Sequence, residues 1–390
     1  MRILVAHNKY REPGGEDVVA AAEAELLGEN GHVVHRHTVE NNDIVGLGQK
    51  LSTAWHAPYS QMAKGRFAEE IRAFRPDVVH VHNFFPILTP AIYDACKDAN
   101  VPVVQSLHNF RLMCPKATMF RRGRPCEICL HASPYHAVLY SCYRDSRLQS
   151  LVPARMVAVN RRRGTWSDKV SRFVALSAFA RDKFLEAGLP ADKIDVKPNF
   201  TPGAAKENTG AQNPREGALF VGRLSEEKGI EPLLKAWRDL SVPLRIAGDG
   251  PMAQMVADHA GPQIEHLGAL VPAAIEREMS TAAFLVVPSL WYEMFPMVLA
   301  EAFAAGLPAI VSRLGSLAEI VEDGATGLHF NPNDPADIAE KVQWATDHPA
   351  EMLEKGKRAR QVYERNYTAS ANYRQLMAIY DKAGASNSDD

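Results

Sequence analysis

The chain has 390 residues, of which 46% are hydrophobic and 23% are charged, and its formal net charge is −2. This length exceeds what one hydrophobic core usually supports, so we expect a soluble globular protein of two domains. The near-neutral charge argues against a nucleic-acid binder, and no apolar run reaches the length of a membrane-spanning helix. Because the first apolar run, "ILVA", is too short for a signal peptide, we expect a cytoplasmic protein without disulfides.

The first half alternates β-branched runs with helical stretches. Strands are predicted at 2–7, 32–39, 76–83, 102–109, 172–177 and 194–199, and helices at 16–31, 90–101 and 178–188. This alternation predicts a parallel sheet with helices on both faces. A long insert at 111–165 interrupts the pattern and is expected to be irregular.

A Pro-, Gly- and Asn-rich segment at 197–217 is predicted to be an interdomain linker, after which the alternation begins again. Strands are predicted at 218–224, 243–250, 264–270, 283–289, 308–314 and 326–330, separated by helical stretches. The fold class is therefore α/β, with two doubly wound Rossmann-like domains facing a cleft. We expect domains at 1–200 and 201–365, and a helix in 366–390 that returns to the first domain and ends in a loose tail at 384–390.

The stretch "WYEMFPMVLAEAF", residues 291–303, carries two glutamates in an otherwise apolar run. A buried carboxylate without a partner is costly, so Glu293 and Glu301 are expected to meet water or hydroxyl donors. Glu293 is placed in a strand-to-helix loop, and Glu301 about one and a half turns into the helix. The free amides of Met297 and Val298 at the start of this helix form a potential phosphate site.

The stretch "FVGRLSEEKG", residues 220–229, supplies the opposite charge. A strand is predicted to end at Gly222, where the lack of a side chain lets a ligand approach. Arg223 and Lys228 follow it. Two cations facing a helix N-terminus are suited to a diphosphate, while the glutamates are suited to sugar hydroxyls. A nucleotide-diphosphate sugar satisfies both requirements.

These motifs together resemble the retaining family-four glycosyltransferases, which have the GT-B fold. The resemblance rests on "GRLSEEKG", "AGDGP", the two glutamates spaced E-x7-E, "EAFAAGLPAIVS" and "GATGL", with "PGGED" and "SLHN" in the first half. It extends over almost the whole chain. One departure is Met294, at a position where the family often has glycine, and it is expected to narrow the sugar pocket.

The resemblance implies a role for each donor-site residue. Glu301 would bind the ribose and Glu293 the donor sugar, while Arg223 and Lys228 would bind the diphosphate and stabilise the leaving nucleotide. The backbone at Gly268 and Ala269 would contact the base. The donor site is further expected to include Phe295, Met297 and Val298, with Gly222 at the strand end.

In the first domain, Gly14 and Gly15 precede a helix start, which is suited to a phosphate or sugar, although two glycines in a loop often form only a turn. They do not form the GxGxxG fingerprint of dehydrogenases. His108 follows a strand, and the resemblance makes it a contact of the donor sugar near the reacting carbon. For His80 and His82 a structural role has equal weight.

No residue stands out as a covalent nucleophile. This fits the retaining mechanism that the resemblance implies, a front-face displacement in which the departing phosphate deprotonates the acceptor hydroxyl. With His108, Arg223, Lys228 and Glu293 as catalytic residues and no DxD motif, we expect catalysis without a divalent metal or other cofactor.

Four of the five cysteines fall within the insert. Cys114, Cys126, Cys129 and Cys142 are spaced C-x11-C-x2-C-x12-C, a pattern typical of thiolate zinc sites, and we expect a structural zinc ion. Buried or free thiols are the alternative, and an iron–sulfur cluster is a weaker one. His131 and His136 are possible substitute ligands.

The same region is strongly basic, with 15 Lys and Arg against 4 Asp and Glu between Arg111 and Lys183, a local net charge of +11. Arg161, Arg162 and Arg163 lie beside an apolar stretch. Such a run is usually a solvated face. In an acceptor domain it also indicates a lipid-linked acceptor or an anionic membrane, with peripheral association at the inner face.

The function that these observations favour is sugar transfer from a nucleotide-diphosphate sugar to a glycan or lipid-linked acceptor in surface polysaccharide or glycolipid synthesis. UDP and GDP are the nucleotides expected. Two alternatives remain: a nucleotide-sugar 2-epimerase of the same fold, which needs acid/base carboxylates in the first domain, and a non-catalytic nucleotide-sugar-binding subunit.

Overall fold

A computed structural model describes residues 1–11, 14–201 and 215–386. Most of the predicted linker, 197–217, and the last four residues of the predicted tail lie outside these ranges. The chain divides into two compact units. Unit 1 comprises Met1–Met119, Cys126–Pro198 and the segment from Asn372, and unit 2 comprises Phe120–Pro125 and Asn199–Ala371. In the described ranges, every helix is too short or too polar to span a bilayer.

The elements up to the linker alternate as the sequence predicts. In chain order they are β1 (Arg2–Lys9), α1 (Gly15–Glu29), β2 (Val33–Glu40), α2 (Gly46–His56), α3 (Gln61–Phe74), β3 (Val78–Asn83), α4 (Ala91–Asp98), β4 (Val103–Leu107), β5 (Phe120–Arg121), β6 (Arg124–Pro125), α5 (Ile128–His131), α6 (His136–Leu139), α7 (Arg147–Arg162), α8 (Thr165–Asp168), β7 (Arg172–Ala175), α9 (Ala178–Glu186) and β8 (Ile194–Val196).

The elements after the linker repeat the alternation. They are β9 (Ala218–Val221), α10 (Ile230–Ala236), β10 (Leu244–Ala247), α11 (Ala253–Asp258), β11 (Ile264–Gly268), α12 (Pro272–Thr281), β12 (Phe284–Val287), α13 (Met297–Ala304), β13 (Ala309–Ser312), α14 (Ser316–Ile320), β14 (Gly327–Phe330), α15 (Pro335–Asp347), α16 (Pro349–Asn366) and α17 (Ala369–Ser386).

Each unit contains a six-stranded parallel sheet. The orders are β2-β1-β3-β4-β7-β8 in unit 1 and β11-β10-β9-β12-β13-β14 in unit 2. The second order is that of the doubly wound dinucleotide-binding fold, and the central strands are apolar because helices cover both faces. The predicted fold class is therefore confirmed.

The prediction that the insert is irregular is wrong. It contains the 16-residue helix α7, which begins after the N-cap Ser146, whose hydroxyl accepts a hydrogen bond from the Gln149 amide. Pro153 lies inside this helix, and this proline, together with the arginines, weakens the helical signal in the sequence. The short strands β5 and β6 form an antiparallel hairpin before it.

The last helix, α17, packs on the sheet of unit 1. Leu376, Ile379 and Tyr380 are buried in one cluster with residues of β1, β3, β4 and β7. The Tyr380 hydroxyl hydrogen-bonds to His80 Nδ1 at 2.8 Å, and Ser106 Oγ lies 2.9 Å from the Nε2 of the same ring. Because α17 continues to Ser386, the prediction of a loose tail from residue 384 is wrong at its start.

We predict that acid destabilises unit 1 through His80. Burial lowers the pKa of His80 to about 4, against an ordinary value of 6.5. Between these two values the unfolded chain binds a proton that the folded protein does not. The free energy of unfolding should therefore fall as the pH drops from 6.5 to 4, by at most about 1.4 kcal/mol per pH unit.

Chemical denaturation at a series of pH values measures this dependence. In His80→Gln the slope over this range should be shallower than in the wild type. The matched control is His56→Gln, at the exposed end of α2, which should keep the slope of the wild type. Identical slopes in the wild type and His80→Gln would contradict the prediction.

Candidate functional site

Unit 2 has the strand order that creates a ligand crevice. The order reverses between β9 and β12, and sheets of this kind bind ligands beyond the carboxyl ends of the strands at such a point. The loop after β9 carries Arg223 and Lys228, and the loop after β12 carries Glu293. The sequence-predicted charges of both loops therefore lie at this edge of the sheet.

A glycine holds the two loops together. Gly229 has φ +75°, and a Cβ at this position would overlap the carbonyl oxygen of Pro288. The amide of Leu290 donates a 2.8 Å hydrogen bond to the carbonyl of Glu227. Lys228, between these two contacts, is thereby fixed against the loop that follows β12.

This contact brings Lys228 and Glu293 into a direct ion pair. Lys228 Nζ donates to Glu293 Oε1 at 2.6 Å, and Ser289 Oγ donates to the same oxygen at 2.7 Å. The Ser316 hydroxyl donates to the backbone carbonyl of Glu293 at 2.5 Å. Lys228 also lies over the Trp291 ring, with Nζ 5.4 Å from its centroid. Glu293, only 5% exposed, thus has the partner that a buried carboxylate requires.

Glu301 has no such partner. It is the fifth residue of α13 and is partly buried, and within the described ranges its carboxylate has no hydrogen bond or ion pair. Burial raises its pKa above the ordinary value. The amides of Met297 and Val298, in the first turn of the same helix, likewise have no acceptor there. Pro296 is the N-cap rather than the first helical residue.

Glycines line the neighbouring strand ends. The amide of Gly222 donates to Ala247 at 3.0 Å, and the amide of Gly248 to Gly268 at 2.8 Å. A Cβ on Gly248 would overlap the carbonyl oxygen of Gly222. Gly268 has φ +67° with open space at its Cβ position, and Ala269 after it is exposed. Backbone therefore lies open where the sequence predicts a contact with the base.

Phe295 and Met294, which we expect at the donor pocket, both have buried side chains. The Phe295 ring packs edge-on against Tyr367 within unit 2, with centroids 5.2 Å apart. The assignment of both to the donor pocket stays a prediction.

In unit 1, His108 is the exposed end of a chain of polar side chains. Its Nε2 lies 2.9 Å from His82 Nδ1, and His82 Nε2 lies 3.7 Å from Glu23 Oε2. The other carboxylate oxygen of Glu23 forms a buried ion pair with Lys197. His82, Glu23 and Lys197 are buried, whereas His108 is partly exposed and, with His82, lines a pocket that also includes Asn109 and Arg111.

The charge of Glu23 favours one set of tautomers along this chain, across a distance of 3.7 Å that is too long for a hydrogen bond. Burial alone would raise the pKa of Glu23, but Lys197 and the nearby histidines lower it below its ordinary value, so the carboxyl is ionised. A carboxylate favours the N–H of His82 on Nε2, which leaves His82 Nδ1 as an acceptor. His108 then donates from Nε2 and keeps Nδ1 as an acceptor. Burial lowers the pKa of His108 to about 3, so the ring is neutral at pH 7.

The Gly14–Gly15 loop is less open than the sequence suggests. The Gly14 amide donates to Asp17 Oδ2 at 2.8 Å, and Asp17 Oδ1 lies 2.8 Å from His7 Nε2. The helix therefore supplies its own carboxylate to Gly14. Gly15, the first residue of α1, is exposed. A nucleotide sugar that binds to the Gly14 amide would have to displace the Asp17 carboxylate from it.

Several polar residues of these sites were not predicted. They are Ser289 and Ser316 around Glu293, Glu23 and Lys197 behind His82, and Glu16, whose carboxylate accepts 3.2 Å hydrogen bonds from Tyr10 and Asn109. Burial, and then the charge of Asp17, raise the pKa of Glu16 to about 8. Glu23 lies in the apolar run "VVAAAEAELL". A glutamate in an apolar run is the signal that pointed to Glu293, and the same signal could have pointed to Glu23.

The comparisons with known proteins agree with this architecture. A model described as Glycosyltransferase Family 4 matches residues 13–202, and one described as Glycosyl transferases group 1 matches residues 204–362. A glycogen synthase of Mycobacterium tuberculosis is 30% identical over 304 residues, which cover 74% of this chain but only 65% of that protein. An uncharacterized glycosyltransferase of Methanocaldococcus jannaschii is 28% identical, with 89% of this chain and 88% of the relative covered.

Among solved structures, Anabaena HepE in complex with UDP has a TM-score of 0.68 and 16% sequence identity, with 98% of this chain and 100% of that chain covered. The chain therefore belongs to the family-four glycosyltransferases, and its two parallel-sheet α/β domains have the GT-B fold.

We predict that His82 fixes the tautomer of His108. In His82→Phe, which keeps an aromatic ring but removes the acceptor, the proton of His108 should redistribute between Nδ1 and Nε2. The nitrogen chemical shifts of the histidine rings, measured by NMR at neutral pH, report this directly. His136→Phe, with a partly exposed ring whose Nδ1 bonds only to Ser133, is the matched control. An unchanged Nε2–H tautomer in His82→Phe would contradict the role of Glu23.

Proposed function

We propose that the protein is a retaining glycosyltransferase that moves a sugar from a nucleotide-diphosphate sugar to a glycan or lipid-linked acceptor, in surface polysaccharide or glycolipid synthesis. The observation that carries this proposal is the Lys228–Glu293 pair at the strand ends, together with the Glu301 carboxylate and the first amides of α13, which have no partner in the described ranges. Cation, carboxylates and amides match the phosphates and hydroxyls of one such donor. HepE binds UDP and UDP-glucose, which makes uridine nucleotides the first donors to test.

The diphosphate would bind where the positive charges are. Lys228 is half-buried and Arg223 is exposed, and the Met297 and Val298 amides add the partial positive charge of a helix N-terminus. When the diphosphate leaves, its growing negative charge is stabilised by these groups without reorganisation. We therefore propose that no divalent metal is required, and activity should persist in EDTA.

The hydroxyl groups would bind to the carboxylates. Glu301 offers both carboxylate oxygens to the ribose, and the cost of burying it without a partner is relieved when hydroxyls donate to it. Glu293 accepts from Lys228 and Ser289 through Oε1, which leaves Oε2 for the donor sugar. The ion pair therefore couples the position of the sugar to that of the phosphates.

The retaining course follows from the family resemblance. His108 is assigned to the donor sugar, and its acceptor Nδ1 is suited to a sugar hydroxyl rather than to a phosphate. The departing phosphate would take the proton of the acceptor hydroxyl on the same face of the sugar. The protein would then contribute position and charge stabilisation more than proton transfer.

One observation favours the 2-epimerase as a second candidate. That reaction needs an acid/base carboxyl in the first domain, and Glu16, with its pKa raised to about 8, is such a group. Two hydrogen bonds hold it to Tyr10 and Asn109. Incubation with donor alone distinguishes the two functions: an epimerase yields an epimer, whereas a transferase yields slow hydrolysis with release of nucleotide.

We predict that Lys228→Met lowers donor-dependent turnover by about a hundredfold or more, the usual effect of removing a group that stabilises transition-state charge. Glu301→Gln should lower turnover at low donor concentration by about tenfold or more, because the hydrogen bonds from the ribose to a charged group are weakened. Nucleotide release from the donor that stabilises the wild type most in a thermal-shift panel is the measurement. Lys235→Met, which removes an exposed lysine of the same unit paired to Glu231, is the matched control and should retain full activity.

Lys228→Met leaves a buried carboxylate without its cation, so loss of activity could reflect misfolding. The double variant Lys228→Met/Glu293→Gln removes both charges and should melt like the wild type while remaining inactive. Turnover near that of the wild type in both single variants would contradict the assignment of the donor site.

The acceptor side of the proposal concerns an exposed apolar face on unit 1. Leu47, Leu51 and Trp55 are 78%, 71% and 67% exposed, and their i, i+4, i+8 spacing puts them on one face of α2, of which no residue is buried. Arg155 of α7 stacks on the Trp55 ring at 4.7 Å and donates to its carbonyl. Leu148 of α7 is 81% exposed.

Exposed leucines and a tryptophan beside arginines are typical of a helix that lies in a membrane interface. We propose that α2 and α7 contact an anionic bilayer that carries the acceptor. The arginine triplet expected for this role divides in the structure. Arg161 donates to the carbonyl of Cys129, and Arg163 stacks on Tyr59 and pairs with Asp94, so only Arg162 of the three is left for lipid.

We predict that Leu47→Ser/Leu51→Ser weakens sedimentation with vesicles containing anionic phospholipid at least tenfold, because two apolar anchors are lost. Arg162→Gln should weaken binding less, and its effect should disappear at high salt, since the screening length is about 10 Å at ~0.1 M. Nucleotide release from the donor should not change in either variant.

The matched control is Leu353→Ser on α16 of unit 2, a leucine that is 55% exposed. It should bind vesicles like the wild type. If the α2 variant binds as strongly as this control, the apolar face has another role.

A further inference from the structure

The insert holds four cysteines that the proposed transfer reaction does not use. Cys114 lies in the turn after β4, Cys126 follows the β5–β6 hairpin, Cys129 lies in α5, and Cys142 follows α6. All four are partly exposed thiols, whereas the fifth cysteine, Cys96 of α4, is buried in the core. Their distribution over four separate turns is typical of ligands gathered around one ion.

Backbone hydrogen bonds shape the turns that present these thiols. The Cys114 amide donates to Phe110 at 2.8 Å, the Cys126 amide to Met119 at 2.7 Å, and the Cys142 amide to Ala137 at 2.9 Å. The Cys126 bond closes the loop around the hairpin. These bonds fix the backbone of each turn without using the sulfurs.

The Cys129 thiol donates a long hydrogen bond, 3.9 Å, to the Pro134 carbonyl, which it would give up as a metal-bound thiolate.

Backbone contacts place the four cysteines in one part of unit 1. Cys126 bonds to Met119, in the turn that follows Cys114, and Cys142 bonds to Ala137 of α6, the helix that packs on α5 with Cys129. Arg161 donates to the carbonyl of Cys129, and Arg111 donates to that of Pro115, next to Cys114. Four thiolates around a divalent cation carry a net charge of about −2, which two flanking arginines offset.

Two histidines of the insert have partners of their own. His131 Nε2 faces Glu127 at 3.7 Å, and His136 Nδ1 hydrogen-bonds to the carbonyl of Ser133 at 2.8 Å. Each of them, considered above as a substitute ligand, keeps its other ring nitrogen for a metal, but four thiols complete a tetrahedral ligand set without them.

In the described ranges two groups have three ligand atoms within 4.8 Å of one another; neither includes a cysteine, and neither suits a metal. At Glu23, His80 and His82, both ring nitrogens of His80 are hydrogen-bonded and Lys197 already balances the carboxylate. In the exposed group of Glu127, His131 and Glu186, Lys183 pairs with both carboxylates. At the cysteines the ion itself would draw the sulfurs to tetrahedral spacing, as in other small sites where metal binding and folding are coupled.

We propose that Cys114, Cys126, Cys129 and Cys142 bind one Zn²⁺ in a closed, structural site. Four thiolate ligands leave no open position, so the ion supplies no catalysis. It joins the turn after β4, the segment that leads into α5, α5 itself and α6, and through Arg161 it connects them to α7. The site is independent of the proposed sugar transfer.

Elemental analysis of the full chain, purified under reducing conditions, is the first test. We expect about one zinc per chain in the wild type and in Cys96→Ala, and fewer than about 0.2 in Cys129→Ser and in Cys114→Ser. Cys96→Ala is the matched control because it removes a thiol of unit 1 outside the insert. Equal zinc loss in Cys96→Ala and Cys129→Ser would overturn the assignment.

Two measurements on the wild-type protein make the test independent of variant folding. Chelation should expose four thiols to a thiol reagent and open the insert to trypsin at Arg121, Arg122 and Arg124, and added zinc should reverse both effects. Cobalt in place of zinc should produce the absorption of tetrahedral thiolate coordination. Absence of zinc even after reconstitution, iron with sulfide in its place, or a disulfide under reducing conditions would each overturn the proposal.

Discussion

The contact between Gly229 and Pro288 is the constraint on which the candidate site of unit 2 depends. It brings a lysine from one loop within hydrogen-bond distance of a glutamate from another, although 65 residues separate them. A residue with a side chain at position 229 would push Lys228 away and leave Glu293 buried without its cation. The site is therefore positioned by the absence of a Cβ as much as by the charged groups themselves.

In unit 1, too, a buried carboxylate has a lysine as its partner. Lys197 balances Glu23, whose other carboxylate oxygen lies 3.7 Å from His82, and His82 hydrogen-bonds to His108. The charge is buried, yet its field favours one tautomer of His82 and, through the hydrogen bond, of His108. Glu23, a buried residue, thus influences where the partly exposed His108 carries its proton without itself contacting a ligand.

Much of the fold was predictable because local patterns carry it. The β-branched runs of β3, β4 and β12 are buried on both faces, and such strands cannot be mistaken for amphipathic helices. The helix α7 was missed because its proline, serines and arginines obscure the helical period, and packing within unit 1 outweighs that weak propensity. The sequence predicts that Arg161, Arg162 and Arg163 form one charged face. It does not show that Arg161 bonds to the Cys129 carbonyl or that Arg163 pairs with Asp94.

The sequence by itself determined the fold class and the combination of a cationic loop with a carboxylate-bearing helix, and its motifs resemble those of one family. The first two follow from composition and spacing, which are local properties of the chain, and the third from the order of the motifs. Only the tertiary structure decided that Lys228 meets Glu293, that Ser289 and Ser316 complete that site, and that Glu23 lies behind His82 and His108. Each of these depends on a contact between segments far apart in sequence, and such contacts arise when parallel strands place the ends of distant loops side by side.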